Sequence, residues 1–197
     1  MANNPYDSPI PGATDPIAAP HVPAVPRPVG VSILAVLHFV GGILLFGVQF
    51  LMFANLNAME ESLRTIGIPP ALLIVAVMFL AVLAVASGVG MWIGSKWGWW
   101  LAAFYYVYSI FRNASALLTI VAMADELGGG TRGPEYYMIK HGGRIVVHFL
   151  LFLYFFKGNV LQFFRLEGLS KPKAIGILVA ICIAITVAVS AISLISS

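Results

Sequence analysis

Charge is what this sequence has least of. Only 10% of its 197 residues are Asp, Glu, Lys or Arg, against about 25% in soluble domains. With 60% apolar or aromatic residues and a mean hydropathy of +0.94, the chain cannot clothe a folded domain in a hydrated surface. A soluble enzyme, a DNA-binding protein and a disulfide-rich secreted module are all disfavoured. Cysteine is nearly absent as well. Cys182 stands alone in an apolar run, cannot form an internal disulfide and says nothing about redox compartment. Clustered basic charge is also missing. The eleven Lys and Arg are scattered singly, so a formal charge of +3 builds no basic face for nucleic acid. No Asp or Glu interrupts the long apolar runs.

Those runs are what remain. At about 20 apolar residues per crossing, the composition suffices for five spans, and it predicts an all-α polytopic transmembrane bundle whose first partner is the lipid bilayer. Residues 1–28 are different in kind. They hold eight of the twelve prolines, from Pro5 to Pro28, and are predicted to form an unstructured tail. The tail lacks the basic-then-apolar order of a signal peptide. Its PxxP spacings at Pro20, Pro23 and Pro26 arise readily in any proline-dense segment.

The expected spans run over about 29–53, 69–94, 97–124, 136–157 and 174–195. Between the first two, Leu56, Met59, Leu63 and Ile66 recur at helical spacing against Asn57, Glu60, Glu61 and Arg64. This pattern describes a short amphipathic helix lying at the membrane surface, with a continuation of the first span as the alternative. Ala86, Gly90 and Gly94 are spaced by four, a pattern that permits close helix packing. Gly176, Ala180, Ala184 and Ala188 repeat that spacing on the last span, on the face expected to meet the bundle. Trp92, Trp97, Trp99 and Trp100 crowd the turn at Ser95-Lys96 and are expected to anchor it at the interface. The fourth helix has an apolar centre of only Ile145 to Phe156, so it must recruit residues on one side, Tyr136 to Arg144 or Val160 to Phe164. Lys and Arg number six on the side of the N-terminus (Arg27, Lys96, Lys157, Arg165, Lys171, Lys173) and four opposite (Arg64, Arg132, Lys140, Arg144). That balance predicts a cell-membrane protein with a cytoplasmic N-terminus and an outside C-terminus.

Arg112 is the exception within the spans. Tyr105, Tyr108, Ser115 and Thr119 lie three or four residues apart along the same helix, drawing one polar stripe through it. The stripe is expected to face into the bundle. With no carboxylate in the spans, its partners would be hydroxyls, carbonyls, water or an anion such as a lipid phosphate. Arg144 and His148, with His141, share a face of the fourth helix and extend this candidate anion or lipid site. The plainer reading is a structural arginine, bonded to carbonyls or snorkelling to the interface. An arginine between two histidines disfavours a metal. The Gly-rich stretch from Gly128 to Gly133 lacks the Lys-Ser/Thr of a phosphate loop, and no protease constellation falls in the spans. No cofactor and no catalysis are therefore expected.

The segment Arg27-Pro28-Val29-Gly30-Val31-Ser32-Ile33-Leu34-Ala35 is similar to the RPxGVTILA start of a family of small uncharacterised prokaryotic membrane proteins. The stretch from Gly90 through Trp92, Gly94, Trp97, Gly98, Trp99 and Trp100 to Ala102 resembles that family's W-G-W-W-L-A entry to a third helix. Tyr154-Phe155-Phe156, Asn159-Val160 and Phe163-Phe164 resemble its closing PxVxxFF phrase without the proline. The leader Asn4-Pro5-Tyr6-Asp7-Ser8-Pro9 looks like one found on many bacterial proteins. The resemblance spans roughly residues 27–165 and implies a four-helix unit without an assigned activity; the last apolar run lies beyond it. On these grounds a non-enzymatic scaffold or accessory subunit is expected, pairing with another membrane protein or itself through small-residue faces. A small transporter or anion-binding protein built on Arg112 is the alternative.

Overall fold

The computed structural model describes residues 25–55, 70–122 and 133–196, all in helices and short connections. The proline-rich tail up to residue 24, the amphipathic segment at 56–67 and most of the Gly-rich loop lie outside the described residues. Six helices follow in order: α1 (Val29–Ala54), α2 (Pro70–Trp92), α3 (Lys96–Ala122), α4 (Pro134–Phe155), α5 (Gly158–Phe163) and α6 (Lys171–Ser196).

Local chemistry explains their ends. Pro28 holds an extended conformation, and its carbonyl accepts from Val31 N at 3.0 Å and Ser32 N at 3.2 Å, opening α1. Asn55 closes α1 by returning its side-chain amide to the Leu51 carbonyl at 2.9 Å, satisfying a group the helix end leaves open. At the end of α2, Gly94 has φ +66° while Ser95 N reaches back to Gly90 O at 3.0 Å. This left-handed reversal is one that glycine adopts without strain. Ser95 then starts α3, its Oγ accepting from Gly98 N at 3.1 Å. Pro134 begins α4 at the position where its missing N–H costs nothing. The same reversal ends α5, but with Arg165 at φ 55° where glycine is usual.

Four helical stretches, Val29–Ala54, Leu73–Trp92, Pro134–Phe155 and Lys171–Val189, are long and apolar enough to cross a membrane. The chain is thus all-helical in its described residues and compatible with a multi-pass membrane protein. α3 is not among the four, because Lys96, Arg112, Asn113 and its three tyrosines lower its apolarity. It is also the helix that holds the core: Trp99, Ala102, Ala103, Phe104, Tyr106 and Val107 are all buried. A helix wrapped by neighbours is shielded from lipid and can afford less apolarity than those that wrap it. α4 gains its length from the Tyr136–Arg144 side, since Phe156 and Lys157 break the chain before α5.

The first four long helices run antiparallel in succession. α1 and α2 meet where a Cβ on Gly42 would strike Val85 and Ala81, and one on Gly88 would strike Phe39 N and Ala35 O at 2.7 and 2.9 Å. α2 and α3 touch backbone to backbone at Gly90 and Gly98. The α2 spacing of four thus splits into separate roles, with Gly90 a helix contact and Gly94 the turn. α3 and α4 are paired at heptad spacing on both helices: Trp99 with Phe155, Tyr106 with His148 and Asn113 with His141. A seven-residue period keeps one seam of an antiparallel pair in register, as in left-handed bundles.

Two faces differ from expectation. On α6 the packed residues are Ala174, Leu178 and Cys182, while Ala180, Ala184 and Ala188 are exposed and a Cβ on Gly176 would meet nothing within 4 Å. That face, small except for Leu178, joins the aromatic-rich core. On α3 the inward stripe runs through Trp99, Ala102, Tyr106, Ser109 and Asn113, one residue from the stripe centred on Arg112.

Candidate functional site

The polar residues of the bundle gather where α1, α2, α3 and α4 converge at His38. His38 is buried, with Nδ1 2.7 Å from Ser87 Oγ and Nε2 2.9 Å from Tyr106 Oη. Ser87 donates its own hydrogen to the Ala84 carbonyl at 3.0 Å, so its oxygen receives the His38 Nδ1 proton. Nε2 is then the acceptor for the Tyr106 hydroxyl. One directed chain, Tyr106 to His38 to Ser87 to the Ala84 carbonyl, fixes the neutral tautomer of the ring. It also ties three helices together through groups that would be costly to leave unpaired in an apolar interior.

Beside this chain lies a cleft of about 360 Å³ between α1 and α4, floored by α3. Its polar lining is His38, Tyr105, Tyr106 and His148; Leu34, Leu37, Leu45 and Leu151 make its walls. The Tyr105 ring meets His38 edge-on at 4.6 Å and lies 6.2 Å from His148. His148 Nδ1 donates to the Arg144 carbonyl at 2.6 Å, within its own helix. A second, wholly apolar groove of about 330 Å³ runs between α1 and α2 along Ala35, Phe39, Gly88 and Trp92.

The expected anion site is divided by this geometry. Tyr105 and His148 come together in the cleft, whereas Arg112, Ser115 and Arg144 are exposed and Tyr108 stacks on Phe104, with Phe79 edge-on. Arg112, Ser115 and Thr119 therefore do not face the bundle interior as expected, whereas Tyr105 and Tyr108 pack against the core. The inward position one residue on is taken by Asn113, which accepts from His141 Nδ1 at 2.8 Å and donates to Ser109 O at 2.7 Å. A neutral amide can be buried with all its bonds made, which a lone guanidinium cannot. Neither cleft is lined by Arg112. The positive charges of Arg144, Lys140 and Arg112 nonetheless all fall within electrostatic reach of His141, so three cations from α3 and α4 share one exposed patch.

The tryptophans divide as well. Trp92 and Trp97 are about half exposed, and Trp100 is half-buried. Trp99 instead turns fully inward, its Nε1–H donating to the Phe155 carbonyl at 2.9 Å, because the α3 seam needs a large side chain there. Trp92 also receives the Arg27 guanidinium, 4.4 Å above its ring and 2.6 Å from its carbonyl, which clips the start of α1 to the end of α2. Among the described residues no group of three or more His, Cys, Asp or Glu could hold a metal.

Sequence reasoning missed Ser87, Tyr106 and Asn113 as polar partners. A signal existed: residues 99, 106 and 113 and residues 141, 148 and 155 share a seven-residue spacing, which grouping by three and four conceals. No family model, curated protein or solved structure matches this chain.

Proposed function

We propose that this protein is an integral membrane protein of five spans acting as a non-enzymatic scaffold or accessory subunit through lateral helix packing. The observation that carries the proposal is the open small-residue face of α6, Gly176, Ala180, Ala184 and Ala188, on a helix apolar enough to span. In lipid, such a face lets a second helix approach closely and gain dispersion contacts. Counting α3 as the fifth span is supported by its level pairing with α4, from Trp99–Phe155 at one end to Asn113–His141 at the other. Five spans would put six cations, from Arg27 to Lys173, on the side of the N-terminus against four opposite, which favours a cytoplasmic N-terminus.

The test is cysteine cross-linking in a Cys182→Ala background. Ala180→Cys and Ala184→Cys are expected to cross-link in liposomes if the partner is a second copy, and only in native membranes if it is another protein. Cross-linking no stronger than at the exposed Ile183 on the same helix overturns the reading. Accessibility labelling of the 125–133 loop and the C-terminus tests the span count, and termini on one side refute five spans.

A second reading is favoured by the patch of Arg112, Lys140 and Arg144. Arg112 lies sixteen residues beyond Lys96, about 24 Å at 1.5 Å per residue. In a hydrocarbon core about 30 Å thick, that is close enough to the far edge for a long side chain to reach lipid phosphates. Native mass spectrometry of wild type and Arg112→Ala compares retained anionic lipid, and equal retention sinks this reading.

A further inference from the structure

We propose that the cleft between α1 and α4 binds the neutral hydroxyl head of an apolar, membrane-dissolved ligand. This site is independent of the α6 face and of the cationic patch.

His38 is nine residues into α1 from Val29, and Tyr106 is ten residues into α3 from Lys96, which puts both about 14–15 Å along their helices. Two helices thus agree on the middle of a hydrocarbon core about 30 Å thick. A charged head is expensive at that level, and none of the cleft's lining residues carries a carboxylate, lysine or arginine to offset it.

Two polar groups lining the cleft are unmatched among the described residues. His148 spends its Nδ1 proton on the Arg144 carbonyl, so in the neutral ring Nε2 is left as an acceptor. Tyr105, beside it, has ring contacts but its hydroxyl makes no hydrogen bond among the described residues. The Tyr105 donor and the His148 acceptor belong to adjacent rings whose centroids are 6.2 Å apart. A single alcohol oxygen satisfies both: it accepts from Tyr105 Oη–H and donates its own hydrogen to His148 Nε2. Tyr106 and His38 do not compete, because their hydrogens are already committed to the chain ending at Ala84.

The shape agrees. A volume of about 360 Å³ is in the range of small-molecule sites. Its leucine walls suit a hydrocarbon tail, and α1 and α4 meet where Gly30 abuts the Tyr154 hydroxyl. At Gly41 on the cleft's lining, an added Cβ would meet nothing within 4 Å, so space remains beside α1 for a tail.

The test uses the full chain purified in detergent, 1,2-dioctanoylglycerol as probe, and native mass spectrometry as readout. Dioctanoyl phosphatidic acid, with the same tails but phosphate in place of the hydroxyl, is the competitor. One dioctanoylglycerol is expected to bind saturably and to resist displacement by the phosphatidic acid. Tyr105→Phe and His148→Leu each remove one hydrogen-bond partner and are expected to weaken binding about tenfold. Gly41→Phe fills the cleft without a backbone clash and is expected to abolish binding, while its thermal unfolding stays at or above that of wild type. Non-saturable uptake, equal retention of the phosphatidic acid, undiminished binding by Tyr105→Phe, or wild-type binding by folded Gly41→Phe overturns the proposal.

Discussion

Replacing Gly98 by alanine is expected to destabilise the bundle, although alanine is the better helix former. A Cβ at Gly98 would fall on the Gly90 backbone, with the α-carbon, carbonyl carbon and carbonyl oxygen all far inside ordinary contact. Non-bonded carbons need about 3.5–4.0 Å, and no side-chain rotation can clear a backbone. α2 must therefore move away from α3 just beside the tight Gly94-Ser95 turn, which leaves little freedom to hinge. Overpacking of this kind costs about 1–3 kcal/mol, while relief of the glycine helix penalty returns at most about 1 kcal/mol. Setting the full return against that cost leaves a net loss of up to about 2 kcal/mol, equivalent to a melting point lower by up to roughly 8 °C in a chain of this size. Gly41→Ala is the matched comparison, since its Cβ meets nothing within 4 Å. It keeps the propensity gain and should melt up to about 2–4 °C higher. Thermal unfolding in detergent followed by circular dichroism reads both. A Gly98→Ala protein as stable as Gly41→Ala would refute the close α2–α3 contact.

Other perturbations follow from the buried hydrogen bonds. Tyr106→Phe leaves His38 Nε2 without its donor and is expected to cost about 1–3 kcal/mol. Adding His38→Leu should give a double variant less unstable than the two single losses summed, and strict additivity in denaturant unfolding would deny the coupling. Trp99→Phe removes the bond to the Phe155 carbonyl and is expected to lower stability by at least about 1 kcal/mol. Trp100→Phe, at a half-buried ring without a hydrogen bond among the described residues, should cost less in the same melt. Gln49 is buried with neither amide atom bonded among the described residues; Gln49→Leu is therefore expected to raise the melting point, and a lower one would show a partner for the amide.

Much of the fold was legible because apolar runs and their punctuation are local properties. Pro28, Gly94-Ser95 and Pro134 mark helix ends through backbone chemistry that requires no knowledge of neighbours. The candidate site was less legible. Polarity alone points to Tyr105 and His148 but groups them with Arg112, which is exposed elsewhere. A polar stripe and the buried stripe beside it differ by one residue, a rotation of about 100° at 3.6 residues per turn.

By itself, then, the sequence determined that the chain is helical, apolar enough for a membrane, and poor in charge except at isolated positions. Those are consequences of composition and of hydrogen bonds satisfied within each helix. Only the tertiary structure decided that Asn113 and not Arg112 turns inward, that α6 packs by Leu178 and Cys182 and leaves its small residues open, and that His38 joins Ser87 and Tyr106. The physical reason is common to all three. A helix offers several faces of similar apolarity, and the one that is buried is chosen by the volume and hydrogen-bonding groups of the helices opposite.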